Sequence, residues 1–136
     1  MSQPPTKTQS NSGNHVRGEF QHTQDEIDLN NSFQAVCTDK TLMNSLMKSF
    51  NANNPDYYKD GNRHSEIKRR AVIYCKDGVL YDNAVWSLVG QFGKGSRAGM
   101  DDDDIRSMVS SCYHNARNEF GNERVKYLNY RRNHQG

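Results

Sequence analysis

Apolar residues along this chain recur at helical spacing in short blocks, separated by clusters of glycine, asparagine and aspartate. Leu29, Phe33, Val36 and Cys37 follow the i, i+4, i+7, i+8 pattern of one helical face, and Asp25, Glu26 and Asp28 suit the positive end of that helix. Thr38 or Asp39 can cap a second helix carrying Leu42, Met43, Leu46, Met47 and Phe50. The stretch from Asn51 to Asn62 is rich in turn formers and reads as a loop. From Ser65 to Cys75, Ile67, Ala71, Tyr74 and Cys75 fit a third helix, although Ala71–Cys75 is also a short apolar run with β-branched members.

Lys76-Asp77-Gly78 makes a turn, after which Asp82 or Asn83 can cap a fourth helix with Val85, Leu88, Val89 and Phe92 aligned. Trp86, the only tryptophan, stands beside that stripe and is expected to anchor the core. Three glycines between Gly93 and Gly99 break the helix. Ile105, Met108, Val109, Cys112 and Ala116 give the clearest stripe, with Asp101–Asp104 at its amino end. After Gly121 a short basic helix turns Val125 and Leu128 inward. The expected architecture is all-α, a bundle of five or six short helices over residues 25–136. Residues 1–24 hold only Met1, Val16 and Phe20 as apolar members and read as a disordered polar tail, too poor in apolar surface to offset its ordering entropy.

The 136 residues leave room for one core, and the 33% apolar content makes that core thin. The longest apolar run, Ala71–Cys75, is far short of the roughly 18 residues of a membrane span. The opening Met1-Ser2-Gln3-Pro4-Pro5 lacks the charged and apolar regions of a secretory signal. These features point to an intracellular protein, cytoplasmic or nuclear, or to a secreted one whose signal has been removed. The net charge of +2 is too small to imply a polyanionic partner, so distribution matters more. Arg63, Lys68, Arg69 and Arg70 form one basic patch; Arg124, Lys126, Arg131 and Arg132 form another.

The Gly93–Gly99 loop before a helix invites a phosphate-binding reading. Its pattern is not GxxxxGK[ST], and four carboxylates at about 4 to 8 Å would oppose an anion there, so a connector explains it better. At most two of Asp101–Asp104 could converge on one ion, because consecutive helical residues point about 100° apart, and stabilisation of the helix dipole explains the run better. Asp56, Asp60 and Gly61 match a calcium loop only in part, since Tyr58 and Ile67 occupy ligand positions. Of the five histidines only His114, near Cys112, lies close to a thiol, and residues two apart on a helix face different ways. No nucleophile elbow, HExxH or paired-carboxylate signature is present, so a non-enzymatic module without cofactor or metal is expected.

The segment from Glu123 to His134 carries the strongest functional signal. On a helix Tyr127, Tyr130 and Arg131 share a face with Arg124, with Lys126 and Arg132 nearby, presenting cations for phosphates and rings for base stacking together. Arg63, Lys68, Arg69 and Arg70 add phosphate contacts if the two patches adjoin. The expected partner is nucleic acid or another acidic surface, at these ten residues.

The three cysteines Cys37, Cys75 and Cys112 fall on the apolar stripes with no CxxC pair and read as reduced core residues. Their spacing within six short helices is also similar to the first, third and fourth cysteines of insect odorant-binding proteins, helical carriers of small hydrophobic ligands. The resemblance covers roughly residues 25 to 134; Ala71 stands where that family has its second cysteine, and none follows Cys112. It implies a Cys37–Cys75 bridge, an unpaired Cys112 and an enclosed apolar cavity. A third class, a protein-interaction or self-assembling subunit, implies an exposed apolar patch.

Overall fold

A computed structural model describes residues 18–133. Among these the chain forms α1 (Gln24–Gln34), α2 (Asp39–Asn53), α3 (Arg63–Lys76), α4 (Tyr81–Phe92), α5 (Asp102–Asn115), a 3-10 turn (Arg117–Glu119) and α6 (Asn122–Asn133), with no strand. The all-α bundle is thus the architecture, and the apolar run Ala71–Cys75 is helical.

The centre is built by α3, α4 and α5, each packed against the other two. Ile67, Ala71 and Tyr74 of α3, Leu88 and Phe92 of α4, and Ile105, Val109 and Tyr113 of α5 are essentially removed from water. Each such valine, leucine, isoleucine or phenylalanine contributes about 1.5–3 kcal/mol on burial, which lets a chain of low apolar content hold one core. The Tyr113 hydroxyl keeps its hydrogen bond inside that core, donating to the Val79 carbonyl at 2.7 Å.

Local chemistry sets the ends. Thr23 and Glu26 form a capping box on α1. Thr38 accepts from the Thr41 amide on α2 at 3.2 Å, and Asp101 from the Asp103 amide on α5 at 2.8 Å. At the end of α3 the Gly78 amide bonds to Cys75 O and the Val79 amide to Tyr74 O, a Schellman turn that needs the left-handed φ of 73° at Gly78. Phe33 and the backbone of Gly121 close over the same spot, where a Cβ on Gly78 would lie 2.4 Å from the Phe33 ring.

The structure corrects several expectations. Within the stretch 1–24 read as a tail, residues 1–17 lie outside the described residues, while 18–24 are laid onto the bundle. Phe20 is only 2% exposed, packed against the Tyr81 and Tyr113 rings, and its amide donates to Ser110 Oγ at 2.9 Å. One well-seated aromatic ring supplies what the average polarity of the segment conceals. Trp86 does not anchor the core but is 67% exposed. The inner stripe of α4 is Val85, Leu88 and Phe92, and the 100° step to Trp86 turns its ring off α3 and α5. α1 stops at Gln34, so Val36 is 54% exposed. Val125 is likewise exposed and Leu128 only half-buried. Of the cysteines, Cys75 alone is fully buried.

α4 has no side-chain cap of its own; neither Asp82 nor Asn83 serves. Its first amides are capped from a distance, Leu80 N by Asp39 Oδ2 at 3.0 Å and Tyr81 N by His22 Nε2 at 2.8 Å.

Candidate nucleic-acid interface

α6 carries the sequence-predicted site, and its first turn is tied to the bundle. Its entry is fixed by the Gly121 amide bonding to Cys75 O at 3.0 Å. Arg124 then turns inward and is 5% exposed. Its guanidinium donates to the carbonyls of Phe33 and Cys37, stands over the Phe33 ring and faces Asp39 Oδ1 at 3.6 Å. Arg124 is therefore a structural cation closing α6 on α1 and α2, not a phosphate contact. A buried charge persists only with partners, and the junction of three elements provides them.

Beyond that turn α6 has no apolar stripe and displays its side chains. Tyr127 and Tyr130 are 58% and 60% exposed, and Lys126, Arg131 and Arg132 are exposed with them. Arg131 lies 5.9 Å over the Tyr127 ring, so a cation and an aromatic face are held together. Lys126 pairs with Glu123 at 3.2 Å in an i, i+3 arrangement open to water. Arg131 and Arg132 have no carboxylate partner among the described residues. Glu123 at the amino end and the two arginines at the other agree with the helix dipole, which supports a helix lacking a buried face.

The α3 patch does not survive as a basic face. Arg70 is fully buried: it pairs with Glu66 at 3.0 Å, donates to Gln91 Oε1 and lies within 4.6 to 5.2 Å of the Phe50, Tyr57 and Phe92 rings. Burial lowers its pKa from the usual arginine value, with Glu66 opposing the shift, and the group stays charged. Arg69 joins the same carboxylate at 2.6 Å. Burial pushes the Glu66 carboxyl up, but hydrogen bonds from Arg69, Arg70 and Asn54 outweigh it and hold its pKa below the usual value. Arg63 donates to Ala98 O at 2.8 Å and is half-buried. Lys68 remains exposed, near Cys112 on the α5 side, where its charge works against the upward pull of burial on that thiol.

The two patches are not brought together. Arg124 sits at the Asp39 end of α2 and Arg70 at the Phe50 end, eleven residues or about 16 Å along the helix. Lys126, Tyr127, Tyr130, Arg131 and Arg132 remain as one surface on α6.

Asp39, weighed in the sequence only as a cap, is the residue whose importance the pattern hides. Its buried carboxylate accepts from Asn30 Nδ2 and Asn83 Nδ2 at 3.0 Å, Gln34 Nε2 at 2.9 Å and the Leu80 amide, besides facing Arg124. No local signal in the sequence distinguishes it from any other helix-starting aspartate.

The three thiols point to different carbonyls, Cys37 to Thr38, Cys75 to Ala116 and Cys112 to Lys68, and all three are free. The Cys37–Cys75 bridge implied by the odorant-binding resemblance is not formed. Among the described residues no group of histidine, cysteine, aspartate and glutamate is placed to hold a metal ion, and no helix is long and apolar enough to cross a membrane. No family model, curated protein or solved structure matches the chain.

Proposed function

We propose that this protein is a non-enzymatic helical binding module whose α6 engages single-stranded nucleic acid. The observation that carries the reading is the joint exposure of Tyr127, Tyr130, Arg131 and Arg132 on one helix whose first turn is locked to the bundle by Arg124. A helix anchored at its first turn, with rings and with guanidinium groups that have no carboxylate partner among the described residues, suits base stacking combined with phosphate pairing. Both rings stand largely in water, and stacking a base on such a ring is worth about 1–3 kcal/mol. Recognition through backbone charge and stacking is tolerant of sequence.

Fluorescence anisotropy of a labelled single-stranded oligonucleotide, followed as salt is raised, tests the reading. Binding by the wild type should weaken steeply with salt, and Arg131→Ala with Arg132→Ala should flatten the logarithmic slope by about 0.7 for each lost phosphate contact. An unchanged slope and affinity in that variant would remove the basis of the proposal.

A further inference from the structure

A second surface lies apart from α6. A cleft of ≈ 1160 Å³ runs between α2, α4 and the loop of residues 93–97, with Asn51, Tyr57, Trp86, Gly90, Gly95 and Arg97 in its walls. We infer that this cleft is a nucleotide site, in which a base stacks on Trp86, an N–H of that base donates to Asn51 and the phosphate pairs with Arg97.

Each part of that ligand answers a feature of the cleft. Trp86 is the most exposed large apolar side chain among the described residues, at 67%. Asn51 keeps its Oδ1 buried without a hydrogen-bond partner, an arrangement that is costly unless a donor is supplied. Arg97 is held 3.8 Å over the Tyr58 ring and donates to its hydroxyl, yet has no carboxylate partner among the described residues. A planar guanidinium fixed in this way is preorganised for a phosphate.

The glycines point the same way. Gly90 lies inside α4 one turn beyond Trp86, where glycine is unfavourable, and a Cβ there would meet nothing within 4 Å; the same is true at Gly95. Packing therefore does not call for glycine at either position. What their lack of a side chain does is keep the space beside the indole open. Charge also orients the ligand: Asp82 lies at the far end of α4, about 12 Å from Gly90, and Arg106 there is already tied to Glu19 at 2.7 Å. Of the carboxylates that follow the loop, Asp101 is engaged by the Asp103 amide and by Lys94, Asp102 accepts from the Lys94 amide, and none of Asp101–Asp104 lines the cleft, so within it the anion is directed to Arg97. Of the other polar groups in the wall, Gln91 bonds to Tyr74 and Ser87, and Ser96 to Gly93 O. An uncharged saccharide would leave Arg97 unanswered.

Because Trp86 is the only tryptophan, its emission reports on the cleft alone. The full chain is titrated with adenosine monophosphate, with adenosine and with a short oligodeoxyadenylate. Saturable quenching is expected. Arg97→Gln should weaken binding of the monophosphate roughly tenfold and leave adenosine unaffected, as the loss of one charge-assisted contact requires. Gly90→Leu, which fills open space without a clash, should abolish quenching while the circular dichroism stays helical. Quenching by the monophosphate identifies a free nucleotide as sufficient; quenching by the oligonucleotide alone identifies a unit within a strand. Arg131→Ala with Arg132→Ala should leave monophosphate quenching unchanged, so this site and the α6 reading fail separately. Absence of saturable quenching with every probe, or equal quenching in Gly90→Leu, overturns the inference.

Discussion

Replacing Asp39 by asparagine tests what holds α6 in place. The change conserves shape but removes the charge facing Arg124 and turns an NH₂ group toward donors from Asn30, Gln34, Leu80 or Asn83, whichever oxygen is lost. An NH₂ group at the Oδ2 position leaves the Leu80 amide without its acceptor, one at Oδ1 takes an acceptor from Asn30 and Gln34, and in either case Arg124 keeps only the two carbonyls and the Phe33 ring. Breaking one side of a buried ion pair costs about 3–5 kcal/mol. Domain stabilities run at only about 5–15 kcal/mol, so the variant should lose a large share of its stability. With a urea m-value near 2 kcal/mol per molar, the midpoint should fall by about 2 M. A double-mutant cycle with Arg124→Met sharpens the test, because removing both charges leaves neither uncompensated. The double variant should be clearly more stable than the sum of the single losses. A loss below about 1 kcal/mol for Asp39→Asn, or strict additivity, would refute the role given to this carboxylate.

Two further outcomes follow from the segment before α1. Phe20→Ala should cost about 3–5 kcal/mol in urea unfolding, whereas a residue in an unstructured tail would cost nothing. His22 accepts from the Tyr81 amide through Nε2, which leaves its proton on Nδ1, 3.1 Å from Glu26 Oε1. Burial lowers its pKa below 6.5, against the opposing pull of Glu26, with Arg117 and Asp82 the other charges that act on it. The unfolded chain then binds the extra proton, so this contribution to stability is present above about pH 6.5 and is lost as the pH falls below it. Asp77, pushed up to about 6 by burial, acts with the opposite sign, losing stability as pH rises through that value. The difference between wild type and His22→Gln, measured between about pH 7.5 and 5.5, isolates the histidine: the gap should narrow as the pH falls, and a constant gap would contradict the assignment. Cys75, buried and with its thiol pushed up to about 12, should react with a thiol reagent only on unfolding, as mass spectrometry of the native and denatured protein would show.

The helices were legible because their evidence is periodic and local. The stripes of α2, α3 and α5, the caps at Thr38 and Asp101 and the turn at Gly78 are fixed by residues a few positions apart. Where sequence reading failed, the deciding contact was distant in the chain. Phe20 finds its pocket 61 to 93 residues away at Tyr81 and Tyr113, and α4 borrows its caps from Asp39 and His22. Charge was the least legible property. Arg70 and Arg132 look alike as letters, yet one is enclosed by three rings and Glu66 while the other stands in water. Composition cannot separate them, because only the packing of α2, α3 and α4 decides which guanidinium is enclosed.

The most direct test of the central claim is amide chemical-shift mapping by NMR as a short single-stranded oligonucleotide is added at low salt. The account predicts that the amides of Lys126 to Asn133 shift progressively and return when salt is raised, while those around buried Arg124 stay in place. Shifts confined to the rest of the bundle, or none at all, would contradict it.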